Sequence, residues 1–137
     1  MSLNAGCGGD GWGDVRVDLK GEPTIFADVE NLPFKGAMFH KIKLREVLEH
    51  LSSPLRGLLE LKRVLKGWLY ISVPNVYYYR RTLRTVQKGW GLPVNYRTEH
   101  LQVWDVITMR QLLYAVGLRV LSARFSVWSR YLELVVV

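Results

Sequence analysis

Three features within the first 28 residues have the types and spacing to do chemistry. Gly6, Gly8 and Gly11 in "LNAGCGGDGWGDVRVDL" satisfy G-x-G-x-x-G, a loop whose bare backbone can approach a ligand. In a dinucleotide-binding unit such glycines lead into a helix whose amino-terminal amides hold a pyrophosphate. That helix has no room here. Only residues 6–14 separate "LNA" from "VRVDL", at or below the roughly 10 to 12 residues that a parallel crossover needs, so at most one helical turn fits. Asp10 and Asp14 would also repel a diphosphate. A ligand without phosphates fits better. Asp18 ends "VRVD" and can accept paired hydrogen bonds from two adjacent ribose hydroxyls, while Asp28 ends the next run and can accept one from an exocyclic amine. Together these residues describe an adenosine site without phosphates.

The remaining candidates carry less. Cys7 cannot form an internal disulfide, and with only His40, His50 and His100 beside it no metal cluster is expected. Burial in a tight turn suits Cys7 better than catalysis, and His50 suits a structural place near the start of the Ser53 helix. The aromatic residues Tyr77, Tyr78, Tyr79, Trp90 and Tyr96 could line an acceptor pocket together with Arg81. Arg81, Arg84 and Lys88 form a basic stripe that could hold a nucleic-acid backbone, although a charged helix face is more often simply solvated. An anionic small molecule, a lipid head group or an acidic protein segment would use the same charge.

The elements that must position these residues follow from the apolar pattern. Short apolar runs at 2–5, 15–18, 24–27, 40–45, 68–73, 119–127 and 131–137 alternate with longer amphipathic ones, which argues for an α/β domain with a largely parallel sheet. Ser53 and Pro54 start a helix with Leu55, Leu58, Leu59 and Leu65 as its apolar stripe, ending at Gly67. A second helix is expected over 76–88, with Val76, Tyr79, Leu83 and Val86 on one face. A third starts at Thr108, capped with Gln111, carries Leu112, Leu113 and Val116 inward and stops at Gly117. Residues 89–104 form the one long irregular stretch.

Bulk properties set the outer bounds. The 137 residues are expected to form a single domain over 1–137, with neither a membrane span nor a secretory signal and hence a cytoplasmic location. The formal charge is +7, from 19 Lys and Arg against 12 Asp and Glu, and favours anionic partners. Its distribution is uneven: acids dominate the first 34 residues, whereas residues 76–98 contain five cations and no acid.

The chain resembles the Rossmann-like, class I S-adenosylmethionine-dependent methyltransferases. "LNAGCGG" is similar to the family's glycine motif, "VDL" to its ribose acid, "ADVENLPF" to its adenine-side motif, and "KIKLREVLEHL" to its fourth strand and exit. "RVLKGWLYISVPN" matches the join into the fifth strand, and "EHLQVWDVITMRQLLYAVGLRVL" the late helix leading to the sixth. The resemblance implies a three-layer fold around a mostly parallel seven-stranded sheet with an antiparallel last strand, here without the family's N-terminal and first crossover helices. It implies S-adenosylmethionine as cofactor, with Gly6, Cys7 and Gly8 beside the methionine part, Asp18 on the ribose, and Asp28 and Val29 at the adenine. Arg45 and Glu46 would border the transferable methyl, and Asn4, where the family usually has an acid, would hydrogen-bond the cofactor's amino group. Glu46 and His100 are the candidate bases for an unidentified acceptor. The alternative reading is a non-catalytic S-adenosylmethionine-binding or partner subunit of the same fold, and an exposed sheet edge could pair with another copy to make a homodimer.

Overall fold

The computed structural model describes residues 1–78, 104–126 and 129–137. Seven strands form one sheet: β1 (Ser2–Ala5), β2 (Val15–Asp18), β3 (Ile25–Phe26), β4 (Phe39–Arg45), β5 (Leu65–Pro74), β6 (Val120–Arg124) and β7 (Tyr131–Val136). Their spatial order is β3-β2-β1-β4-β5-β7-β6. All pairs from β3 to β5 are parallel, and β7 runs antiparallel to both of its neighbours. This is the α/β class and the strand pattern that the sequence implies. Strand order reverses between β1 and β4, and open parallel sheets bind ligands in the crevice beyond the strand ends at such a point.

Two α-helices are described, α1 (Pro54–Val64) and α2 (Val106–Val116). Of the three layers expected, the described residues supply the sheet and one helical layer. Both helices turn their buried residues into a single apolar cluster with alternate residues of the strands. Sheet register lines these up as Val15, Leu3, Ile42, Leu69 and Val136, one residue out of step with Arg16, Asn4, Lys43, Tyr70 and Val135 on the opposite face. The β1–β2, β2–β3 and β3–β4 connections contain no helix. Side chains of α1 hold the last of them in place: Arg63 donates to the carbonyls of Phe34 and Leu32 at 2.7 and 3.0 Å, and Glu60 accepts from the Leu32 amide at 3.0 Å.

Several boundaries differ from the expected ones, for local reasons. Ser53 caps α1 and Pro54 opens it, as read from the sequence, but the inward stripe is Pro54, Gly57, Leu58, Leu61 and Val64. Leu55 and Leu59 flank that stripe and are exposed. The helix ends at Val64, so Leu65 is the first residue of β5 rather than the last of the stripe. The cap of α2 is Asp105, not Thr108. Its carboxylate accepts from the Thr108 amide at 2.7 Å while the Thr108 hydroxyl accepts from the Asp105 amide at 3.1 Å, so Thr108 is the inner half of the capping box instead of its start. Gly117 closes α2 in the left-handed conformation, φ 76°. The strand expected over 119–127 is shorter, and of the helix expected over 76–88 only Val76, Tyr77 and Tyr78 are among the described residues, all helical.

Candidate functional site

The residues between β1 and β2 form a turn that stays tied to the sheet. Both the Gly6 and Cys7 amides donate to the Val17 carbonyl, at 2.8 and 3.0 Å. Gly6 takes φ 71° and Gly8 φ 51°, a conformation that L side chains rarely adopt. A Cβ on Gly6 would collide with the Val47 methyls, whereas one on Gly8 would meet open space. The first glycine thus permits close packing and the second leaves the turn bare.

Asp18 points back at that turn. One carboxylate oxygen accepts from the Gly8 amide at 2.7 Å and the other from the Lys20 amide at 3.1 Å, which holds the group at the strand end with lone pairs to spare. Asp28 closes its own turn by accepting from the Glu30 amide at 2.9 Å. Glu30 in turn grips the start of α1, accepting from the Ser53 amide and the Ser52 hydroxyl, both at 2.9 Å. The missing helices are replaced here by side-chain clamps.

At the end of β4 the chain turns sharply. Glu46 is a non-glycine residue at φ 54°, a conformation that costs energy and tends to mark functional sites. Its amide donates to the Ser72 carbonyl at 2.9 Å, and its carboxylate accepts from the Ser72 hydroxyl at 3.0 Å. Burial pushes the Glu46 carboxyl above its ordinary range, partly offset by that hydrogen bond. A single 3-10 turn, Leu48–His50, follows.

These pieces surround one cavity of about 860 Å³. All nine residues that the family resemblance assigns to a cofactor line it: Asn4, Gly6, Cys7, Gly8, Asp18, Asp28, Val29, Arg45 and Glu46. His50 lies on the same wall. Asn4 is buried, and its amide reaches the Asp10 carbonyl at 3.4 Å. Cys7 is buried too, and burial followed by the nearby Asp18 charge raises its thiol pKa, so it stays protonated. Tyr77 does not line the cavity; it is half-exposed and packs edge-on to Phe125, with ring centroids 5.7 Å apart. His100, Arg81, Trp90 and Tyr96 lie outside the described residues, as do Tyr79, Arg84 and Lys88.

Two features of the site are not apparent in the sequence. Asp10, read only as a charge repelling phosphate, forms a close ion pair with Lys43 on β4 and so anchors the far limb of the glycine turn. The hydrogen bond from Lys43 holds its carboxyl below the usual range. Glu49 is fully buried with neither carboxylate oxygen hydrogen-bonded, its Oε1 3.9 Å from His50 Nε2. Burial, with the Glu46 charge adding to it, raises its pKa to about 7. Among the described residues no group of acids, histidines or cysteine could hold a metal ion, and no helix is long and apolar enough to cross a membrane.

Comparison with known proteins agrees with this geometry. A family model described as a methyltransferase domain matches residues 17–123. A SAM-dependent methyltransferase from Thermotoga maritima superposes with a TM-score of 0.73 at 14% identity, over 98% of this chain and 80% of that one. A Burkholderia thailandensis 1,6-didemethyltoxoflavin-N1-methyltransferase, solved with its substrate and S-adenosylhomocysteine, gives 0.72 at 17% identity, over 98% and 69% of the two chains. A Haloferax volcanii complex containing the Trm112 methyltransferase activator gives 0.71 at 15% identity, over 99% and 81%. No curated protein matches the sequence significantly.

Proposed function

The chain belongs to the methyltransferase domain family, and from that premise we propose that it is an S-adenosylmethionine-dependent methyltransferase with its cofactor in the β1–β2–β4 cavity. One observation carries the reading: the bare Gly6–Gly8 turn, Asp18, Asp28 and Glu46, drawn from four separate connections, converge on a single space. The residues fit the cofactor. No side chain projects from Gly6 or Gly8 into the room that the methionine part needs, and the unused lone pairs of Asp18 suit two ribose hydroxyls. Asp28 and Val29 line the part of the cavity where they would flank the adenine, and Asn4 would offer a neutral hydrogen-bonding group to the cofactor's amino end.

The bound cofactor supplies an already activated sulfonium methyl. The protein's task is then mainly alignment of an acceptor lone pair, and positioning of that kind can supply about 7 to 11 kcal/mol. For a hydroxyl or ammonium acceptor Glu46 is the base among the described residues. Its raised pKa brings it closer to neutral pH, where proton transfer by a side chain is efficient, and the Ser72 hydroxyl fixes the carboxylate's direction. Cys7, neutral and buried, packs the turn.

Calorimetric titration of the purified chain tests the reading. S-adenosylmethionine and S-adenosylhomocysteine are expected to bind and to raise the melting temperature, NAD to do neither, and Asp18→Ala to abolish the response. Absence of heat and of any thermal shift at millimolar concentrations of both compounds would overturn it.

A further inference from the structure

A base must be held in two states, ionised before it takes a proton and neutral afterwards, and a hydrogen bond that favours one state disfavours the other. The buried Ser72 hydroxyl suits the first, donating to Glu46 Oε1 at 3.0 Å. Its place in the second is set by its neighbours on the sheet. Tyr70 and Ser72 stand two residues apart on one face of β5, and Glu133 on β7 lies directly opposite Ser72. The Tyr70 hydroxyl nevertheless donates to Glu133 Oε1, at 2.7 Å, so its ring leans along the strand until the hydroxyl is level with Ser72. The single proton of that hydroxyl is committed to Glu133. Burial and then the Glu133 carboxylate keep it on the oxygen, pushing the Tyr70 pKa up to about 12. Toward Ser72 the Tyr70 oxygen therefore presents only lone pairs. The Ser72 hydroxyl is close enough to donate to them, which offsets part of that rise. One proton on Ser72 thus has two acceptors, Glu46 and Tyr70.

We propose that Tyr70 is a positioning residue for the Glu46 base, acting through Ser72: it accepts the Ser72 proton when Glu46 becomes neutral, so that Ser72 turns from donor to acceptor and holds Glu46 in both states. The inference rests on the methyltransferase reading, and it assigns to that reaction a residue that does not line the cofactor cavity. While Glu46 is ionised it wins the Ser72 proton, because a hydrogen bond to a charged group is roughly twice as strong as a neutral one. During transfer the acceptor's lone pair forms the bond to the methyl carbon, the carbon–sulfur pair stays on sulfur, and the acceptor's proton moves to Glu46. The neutral carboxyl then turns to donate to the Ser72 oxygen, while the Ser72 proton swings to Tyr70. This holds the proton away from the methylated product and leaves no buried hydroxyl without a partner. Without the Tyr70 oxygen the Ser72 proton would have one acceptor only, and the neutral state of Glu46 would lose its support.

The test is a pH titration of the glutamate carboxyls of the whole chain by carbon-13 NMR, with the Glu46 signal assigned from Glu46→Gln. Ser72→Ala should move the Glu46 midpoint upward by about one pH unit, whereas Tyr70→Phe should move it downward by about half a pH unit, since it removes a bond that only the neutral state uses. A Tyr70 that merely packs would not lower it. Arg45, His50, Glu49 and Arg130, the other ionisable groups that act on Glu46, are the same in both variants. Because Tyr70→Phe also strips Glu133 of a hydrogen bond, the substitution is repeated in Glu133→Gln, where the same lowering is expected. An unmoved or raised Glu46 in Tyr70→Phe, in a chain whose melting curve shows it folded, would overturn the proposal, as would loss of the effect in Glu133→Gln. The titration needs no ligand. The expected shifts in a chain that binds no S-adenosylmethionine would sink the activity and leave the hydrogen-bond exchange standing; S-adenosylmethionine binding with an unmoved Glu46 would do the reverse.

Discussion

The two faces of this sheet are made by the same strands, one residue out of step, and differ in almost everything else. One gathers Val15, Leu3, Ile42, Leu69 and Val136 under two helices; the other presents Arg16, Asn4, Lys43, Tyr70 and Val135, with no helix over it among the described residues. The difference shows that the stability of the fold is concentrated on one side. The glycine turn crosses the other side in place of a helix, with Asn4, Lys43 and Trp12 as its footing. The sharpest way to break this comparison is Ile42→Ala, which removes a fully buried side chain from the middle of the covered face. It should cost about 2–5 kcal/mol in denaturant unfolding. A loss below about 1 kcal/mol would mean that the covered face is not the one that holds the fold.

Glu49 is the exception among the buried residues, a carboxyl with no exposure whose oxygens accept no hydrogen bond. Its folded pKa of about 7 lies above the ordinary glutamate value of 4.5, so between those values the folded chain holds a proton that the unfolded chain has lost. Stability from this group is therefore full below the unfolded value, falls as pH rises toward 7, and stays low above it. The fall can reach about 3 kcal/mol, at 1.36 kcal/mol for each pKa unit. Glu49→Gln keeps the shape without the charge. It should be more stable than the parent at pH 8, with the advantage shrinking or reversing by pH 5; pH-independent parallel curves for the two proteins would show that Glu49 does not titrate in this range.

How far the sequence foretold all this depends on whether neighbours in space are neighbours in the chain. The strand run at 40–45, the Ser53–Pro54 start and the Gly117 stop are local signals, and each appears where it was read, to within a residue. The convergence of the glycine turn with Asp18 and Asp28 was also legible, since parallel strands bring successive carboxyl ends to one edge of the sheet. The helical stripe was less so: Leu55 and Leu59 are as apolar as Leu58 and Leu61, and only the docking of Gly57 against Leu51 decides which side turns inward. The Asp10–Lys43 pair joins residues 33 apart, with nothing local to announce it. Glu49 was invisible for the opposite reason, because a glutamate is ordinarily solvated and its burial here is imposed by what packs around the 3-10 turn.

The smallest expected effect sharpens the comparison from the other side. Lys41 precedes Ile42 by one residue and so stands on the face away from the helices, exposed, its ammonium 6.0 Å from the Trp68 ring and in no ion pair among the described residues. An exposed cation over a ring contributes little, and the long side chain gains back rotamer freedom when that contact is lost. Lys41→Ala should therefore change unfolding free energy by about 0.5 kcal/mol or less, measured in the same titration as Ile42→Ala. Adjacent residues of one strand would then differ several-fold in what they contribute, which is the signature of a sheet packed on one side only. A cost for Lys41→Ala approaching that of Ile42→Ala would show that the second face is packed in solution, and the division between the two faces would fail.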